Sequence, residues 1–275
     1  DQMKASDLCC SAAEKLIAEL KWKKEEIGLL IFVSQTPDYP IPGTSMILQE
    51  KLGIPSTCMC LDINQGCAGY VYGLSVLSSV MSASGITKGL LLVGDTITKL
   101  LLPGDNSTVP IFSDAGSATA VEVDANAEEM HFNLQTDGSK YDAIIMEKDS
   151  HMKMRGHDIF TFGLKEVSPN VTTLLDHCQR TITDVDFFVF HQANKLLNEA
   201  IRKKIAIPPE KVPMTLGKYG NTSCATIPVT IVSELRNEVR KNKLNLLLSG
   251  FGVGLSWGSA FITISDVKCP ELIEI

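Results

Sequence analysis

A strand pattern that occurs twice limits what this chain can fold into more than any other feature does. Leu90-Leu-Leu-Val-Gly94 is matched by Leu246-Leu-Leu-Ser-Gly250, and Gly116-Ser-Ala-Thr-Ala-Val121 by Gly258-Ser-Ala-Phe-Ile-Thr263. By the same order, Phe187 to Phe190 echoes Leu29 to Val33, and a turn and helix at Asn221 echo a turn and helix at Cys67. Chance similarity between apolar strands accounts for any one match. Four elements repeated in order point to a duplicated unit, with halves expected at 1–150 and 151–275. The longer connection in the first half, 96–109, carries Pro103-Gly-Asp-Asn106. A duplication of this kind sets the Cys67 turn and the Asn221 turn facing each other across a pseudo-twofold axis.

Apolar runs bounded by turn residues alternate with segments of helical period, the pattern of an α/β protein with buried strands. Leu8, Ala12, Leu16 and Leu20 recur every four residues and predict a helix over Ala5 to Leu20. Strands are expected at 28–34, 59–64 and 90–93. The helix predicted from Ala68 to Ser82 carries Tyr72, Leu74, Val76, Leu77, Val80 and Met81, apolar on most sides, and so belongs between layers.

With 275 residues, 44% hydrophobic and 21% charged, the chain has enough apolar material for a large core. A net charge of -7 argues against broad nucleic-acid binding, and no apolar run approaches the ~18 residues of a membrane span. The chain opens at Asp1, without an initiator Met and in what reads as a helix, so its start is expected to be missing. Eight cysteines without the spacing of a disulfide framework suit a reducing cytoplasm. Cys58-Met-Cys60 is too close for a zinc knuckle and the five histidines form no H-x3-H pair, so no metal is expected.

The chemistry-bearing segment is Asp62-Ile-Asn-Gln-Gly-Cys67-Ala-Gly-Tyr70. A thiol between a strand and a helix N-terminus is placed for ionisation, because free N–H groups and the helix dipole stabilise an anion. The alternative is an inert core cysteine. Phe190-His191-Gln-Ala-Asn194 and Gly220-Asn221-Thr-Ser supply an imidazole and an amide. Alone, His191 reads equally as a core histidine bonded to backbone, and Asn221 as a turn residue or a glycosylation acceptor. His131, His151, His157 and His177 have no motif around them.

Five ordered motifs then make the chain resemble the β-ketoacyl-acyl carrier protein synthase III family, condensing enzymes of the thiolase fold. They are Asp62 to Tyr70, Phe112-Ser-Asp-Ala-Gly116, His191 to Asn194, Gly220-Asn-Thr-Ser-Cys-Ala225 and Phe251-Gly-Val-Gly-Leu-Ser-Trp-Gly258. The resemblance implies a five-layer αβαβα architecture of two pseudo-duplicated halves, with the family's first strand and N-terminal loop lacking here. It implies that Cys67 takes an acyl group from a thioester and that the acyl-enzyme condenses with malonyl-acyl carrier protein. His191 Nε2–H and the Asn221 amide would stabilise the enolate formed by decarboxylation, and the backbone N–H groups of Cys67 and Val253 would form a second oxyanion hole.

Phe112, Asn194 and Gly252 fall at substrate-contacting positions, and Ile41 stands where the family has a phenylalanine that crosses a homodimer interface to limit acyl length. Lys195, Arg202, Lys203 and Lys204 form a basic cluster on the helix predicted over Ala193 to Ile205. Such a cluster is commonly just solvated surface, but here the resemblance implies docking of acyl carrier protein. Leu196 replaces one of the family's basic positions. Asn106 replaces its adenine-stacking arginine, which leaves carrier protein as well as coenzyme A as a donor. The thioesters of coenzyme A or phosphopantetheine are substrates, and no cofactor is expected. A papain-like hydrolase also orders Cys, His and Asn this way, but its C-G-[SA]-C-[WY] signature is missing around Cys67. Within the family, a non-decarboxylating acyltransferase is the alternative.

Overall fold

The structure, a computed structural model, describes residues 3–148 and 150–275. Two four-stranded sheets form its frame. The first is assembled from β1 (Leu29–Val33), β2 (Met59–Ile63), β3 (Lys88–Asp95) and β4 (Ala115–Glu122) in the order β2-β1-β3-β4. The second uses β5 (His131–Thr136), β8 (Phe187–Phe190), β9 (Leu244–Gly252) and β10 (Ser256–Ile264) in the order β5-β10-β9-β8. A short ribbon of β6 (Ile144–Ile145) and β7 (Lys153–Met154) lies between β5 and β8 in sequence.

The duplication is visible in the ladders. β1 runs parallel to β3 and β3 antiparallel to β4; β8 runs parallel to β9 and β9 antiparallel to β10. The repeated glycines are register partners in both copies, Gly94 with Gly116 and Gly250 with Gly258. They clear room for other backbone. A Cβ on Gly94 would lie 2.7 Å from Cys9 Sγ, one on Gly116 2.6 Å from the Cys9 nitrogen, and one on Gly250 2.8 Å from Ala68 Cα. The motif read as a repeat therefore marks where a neighbouring segment crosses each sheet closely.

Helices complete five layers. α1 (Ala5–Leu20) and α2 (Thr44–Lys51) cover the outer face of the first sheet. α3 (Gly69–Ser84) and α8 (Thr226–Glu234) lie between the sheets and touch both. α4 (Gly156–Phe162), a π-helical turn (Gly163–Val167), α5 (Ser168–His177) and α6 (Lys195–Ile205) cover the far side, and the short α7 (Leu216–Tyr219) and α9 (Arg236–Lys241) flank α8. Leu29, Ile31, Leu91 and Leu248 are fully buried around the middle layer. Each such side chain contributes about 1.5–3 kcal/mol by leaving water. α3 buries Tyr70, Val71, Leu74, Leu77 and Met81, as expected of a helix with sheet on both sides.

The sheets divide between β4 and β5, before residue 150, because β5 at 131–136 pairs with β10 in the second sheet. β5, outermost in its sheet, had no clear signal: His131-Phe-Asn-Leu-Gln-Thr136 is only half buried. No strand covers the equivalent outer edge of β4 among the described residues. Among those residues, no helix is long and apolar enough to cross a membrane.

Candidate active site

The C-terminal end of β9 is where the sequence-predicted residues meet. Cys67 follows β2 and precedes α3, whose first residue is Gly69, with Ala68 as its cap. The thiol packs on β9: a Cβ on Gly252 would sit 2.7 Å from Cys67 Cβ and 2.9 Å from its sulfur. Only glycine leaves that space. The turn beyond is tied back by Gln65 Nε2, which donates to Ser256 Oγ at 2.6 Å, while Ser256 Oγ donates to the Val253 carbonyl at 2.7 Å.

The thiol is not poised as an anion. Burial pushes the Cys67 thiol up to about 12, and the negative field of buried Asp95 adds to this. The backbone N–H groups of Val253 and Cys67, with the Ser223 hydroxyl, oppose the rise but do not reverse it. The expectation of an ionised thiol at a helix N-terminus is thus corrected: desolvation outweighs every donor aimed at the sulfur. Those two backbone groups are the pair expected to form an oxyanion hole.

His191 extends β8 by one residue, its N–H donating to the Ser249 carbonyl at 2.8 Å. It is 1% exposed. Its carbonyl accepts from Asn198 Nδ2 at 2.9 Å and its ring meets Phe251 edge-on at 5.5 Å. Nδ1 lies 2.7 Å from Thr226 Oγ1. Burial lowers the imidazole to about 3, against a smaller opposing effect from the Ser223 backbone, so the ring is neutral at any working pH.

Asn221 is held at both backbone groups, its N–H donating to the Ile111 carbonyl at 2.9 Å and its carbonyl accepting from Ser113 N–H at 3.1 Å. This bridge places Phe112 beside it. Oδ1 accepts from Ser223 N–H at 2.9 Å, which turns the NH2 end the other way. That end has a contact with the Ala193 carbonyl at 3.5 Å, long enough to leave it a donor for a ligand. Ser223 adopts φ 52°, a left-handed conformation costing about 1–2 kcal/mol in a residue with a Cβ. Through it the Asn221 turn reaches the sulfur.

The remaining candidates are spread more widely. Asn194 caps α6, its Oδ1 accepting from Leu197 N–H at 2.9 Å. Ile41 is 85% exposed. Tyr39, Met46 and Met59 are exposed as well, and Met59 belongs to β2, the outermost strand on that side of the first sheet. On α6, Lys195, Lys203 and Lys204 are exposed. Lys204 Nζ donates to the Leu164 carbonyl at 2.5 Å. The Arg202 guanidinium pairs with Glu199 at 2.8 Å and bonds the Ile207 carbonyl, with 13% of the side chain exposed, so its donors are engaged within the chain. Leu196, beside Lys195, is exposed.

A cleft of about 450 Å³ opens between residues 102–107 and 150–154, lined by Leu102, Asp105, His151 and Met152 among others. None of Cys67, His191 and Asn221 lines it. No group of three or more metal-ligating side chains occurs among the described residues.

Three residues at the centre were not read from the sequence. Ser223 lies inside the Gly220 to Ala225 motif and Thr226 directly follows it. Asp95, fully buried, accepts from the Ser34 hydroxyl at 2.8 Å, from Gln35 N–H at 2.7 Å and from the Cys224 thiol at 3.3 Å. Its one signal was an acid directly after the repeated glycine, at the place Phe251 takes in the second half.

Comparison with known proteins shows the family. Residues 61–138 match the family model 3-oxoacyl-[acyl-carrier-protein (ACP)] synthase III, and residues 175–264 match the model for the C-terminal part of the same enzyme. The β-ketoacyl-[acyl-carrier-protein] synthase III 1 of Halalkalibacterium halodurans is 33% identical over 94% of this chain and 83% of its own length. The synthase III of Geobacillus kaustophilus shows the same identity and coverage. The crystal structure of a 3-oxoacyl-(acyl-carrier protein) synthase from Burkholderia xenovorans LB400 superposes with a TM-score of 0.97 at 38% identity, covering 100% of this chain and 84% of that one. The duplicated sheets, the buried thiol on β9 and the partners around it are the two halves of one family's fold: the chain belongs to the 3-oxoacyl-[acyl-carrier-protein] synthase III family.

Proposed function

We propose that the chain transfers an acyl group from a thioester to Cys67 and condenses it with malonyl-acyl carrier protein, releasing carbon dioxide and a 3-oxoacyl-acyl carrier protein. The observation carrying this reading is the meeting of a buried thiol, a neutral imidazole and an oriented amide at the end of β9. In the first step Cys67 sulfur bonds the donor's carbonyl carbon and the donor's sulfur leaves with the proton Cys67 gives up. No charge then stays in a site where burial disfavours it. The backbone N–H groups of Cys67 and Val253 hold the oxygen of the tetrahedral intermediate.

In the second step the bond between the malonyl α-carbon and its carboxylate breaks. Its electrons spread onto the thioester oxygen, where His191 Nε2–H and Asn221 Nδ2–H stabilise the charge. The α-carbon attacks the acyl carbonyl on Cys67, and Cys67 sulfur departs and regains a proton taken up from solvent. A neutral imidazole suits this role because it donates a hydrogen bond without carrying a charge into the core. Phe112, Asn194 and Gly252 are assigned to the substrate passage.

Carrier protein is assigned to the exposed surface of α6, with Lys195 and Leu196 in its first turn and Lys203 and Lys204 in its last, where positive charge on an acidic chain steers an acidic partner. The donor is a thioester of coenzyme A or of carrier protein. The exposed apolar side chains of Tyr39, Ile41, Met46 and of Met59 on the outermost strand β2 support a homodimer. All eight cysteines are free thiols, which supports a cytoplasmic enzyme.

Intact-mass measurement after exposure to a panel of acyl-coenzyme A and acyl-carrier thioesters tests the first step. An adduct is expected on the wild type and none on Cys67→Ser; an adduct on the variant overturns the assignment. Carbon dioxide release from malonyl-carrier protein tests the second step, and acylation without it would assign a non-decarboxylating acyltransferase.

A further inference from the structure

Behind His191 lies a chain of buried polar side chains that the reaction as described does not use. Gln192 Nε2 donates to the Phe190 carbonyl at 2.9 Å, and Gln192 Oε1 accepts from Thr215 N–H at 3.1 Å. Thr215 and Thr230 share a hydrogen bond of 3.0 Å between their hydroxyls, and Thr230 Oγ1 also lies 2.8 Å from the Thr226 carbonyl. All four side chains are at most 1% exposed. The chain leads from the strand that carries His191, around the ring, to the residue whose hydroxyl touches Nδ1.

Thr226 Oγ1 lies 2.7 Å from His191 Nδ1 and 3.1 Å from the Ser223 carbonyl, and it has a single proton to offer. Pointed at the carbonyl, it receives a hydrogen bond from a protonated Nδ1, and Nε2 is left as a lone pair. Pointed at the ring, it makes Nδ1 the acceptor and places the ring proton on Nε2. A buried neutral imidazole holds one proton, so the direction of this hydroxyl decides which nitrogen carries it. Resting on the condensation reading above, where Nε2 must donate to an enolate oxygen, the choice matters. A bare lone pair there would repel the developing charge.

We propose that Thr226 is a positioning residue that directs its hydroxyl to Nδ1, fixing His191 in the Nε2–H tautomer and aiming it for malonyl decarboxylation. At 2.7 Å the contact has the length of a bond donated by O–H rather than by N–H, which favours this direction. Asn198 Nδ2 holds the His191 carbonyl and Thr230 Oγ1 holds the Thr226 carbonyl, so the backbone that carries the ring and the backbone that carries the hydroxyl are both fixed. Decarboxylation depends on the tautomer, whereas acylation of Cys67 relies on backbone donors.

Nitrogen NMR of protein labelled in its histidine rings reads the tautomer directly, with His191→Gln to assign the signal. The wild type and Thr226→Ser should show His191 as Nε2–H, and Thr226→Val should lose that preference. A wild-type ring protonated at Nδ1, or a Thr226→Val ring unchanged from wild type, overturns the proposal whatever the enzyme's activity. In parallel, Thr226→Val should release carbon dioxide from malonyl-carrier protein about 10-fold to 100-fold more slowly, below the ~10² to 10³ of losing an oxyanion donor outright. Its rate of Cys67 acylation should match the wild type, and Thr226→Ser should restore decarboxylation. Equal slowing of both steps, or no rescue by serine, would reduce Thr226 to a structural residue. Absence of carbon dioxide release in the wild type would instead overturn the condensation reading, with the NMR result still deciding the tautomer.

Discussion

The Cys67 turn, leading from β2 into α3, and the Asn221 turn, leading into α8, occupy equivalent places in the two halves but hold their side chains by different means. Cys67 is seated by the absence of atoms: Gly252 and Gly250 of the opposite half leave room for its side chain and its backbone. Asn221 is seated by bonds, with Ile111, Ser113 and Ser223 engaging its backbone and its Oδ1. His191, on the polar side of the site, is likewise fixed through its N–H, its carbonyl and Nδ1. The difference follows from the work assigned to each side. A sulfur that forms and breaks a covalent bond needs space for a second substituent, while dipoles that stabilise passing charge act best when they cannot reorient.

Removing the fixed dipoles is the strongest way to break this comparison. His191→Ala and Asn221→Ala are each expected to slow carbon dioxide release from malonyl-carrier protein by ~10² to 10³ while leaving Cys67 acylation in place. Parallel assays of the two steps check this, and equal loss in both would show that the two sides are not separable. Gly252→Ala attacks the other side. A methyl 2.7 Å from Cys67 Cβ forces the thiol or the β9 turn to shift. A displacement near 1 Å costs up to about 10² in rate, so acylation should fall first and furthest. Time-resolved intact mass reads it, and an unchanged acylation rate would mean the cradle is looser than its geometry.

How much of this was legible in the sequence follows the same division. The helix at 5–20 stands where apolar periodicity placed it, the strand expected at 59–64 runs over 59–63, and the strand at 187–190 stands where the repeat placed it. The repeat was readable because two copies of one sheet need glycine at the same crossing point, and Gly94 and Gly250 supply it. Cys67, His191 and Asn221 were found through flanking glycines and short motifs, which report backbone constraints. What escaped was set by tertiary environment. Thr226 looks like any first-turn helix residue until His191 arrives from a strand 35 positions earlier. Arg202 looks like a free cation until Glu199 and the Ile207 carbonyl take its donors. The ionisation of Cys67 was misread because local sequence shows the helix end but not the depth of burial.

The smallest effect separates the two sides by pH. His191 is lowered to about 3 from its ordinary 6.5, so between those values the unfolded chain binds a proton that the native state does not. Stability therefore rises with pH across that window and is lost as pH falls below 6.5, by roughly 2 kcal/mol between pH 7 and pH 5. Cys67 behaves oppositely. Its thiol is raised to about 12 from 9.0, so the native state keeps a proton that the unfolded chain releases, and stability is lost as pH rises above 9. Urea unfolding at a series of pH values should show His191→Gln flattening the acid limb alone and Cys67→Ser easing the alkaline limb alone. The alkaline limb should not vanish, because Cys9 and Cys58 are also raised to about 12 and Cys224 is raised as well. If His191→Gln left the acid limb as steep as in the wild type, the imidazole would not be the buried neutral group that the polar side of the site requires.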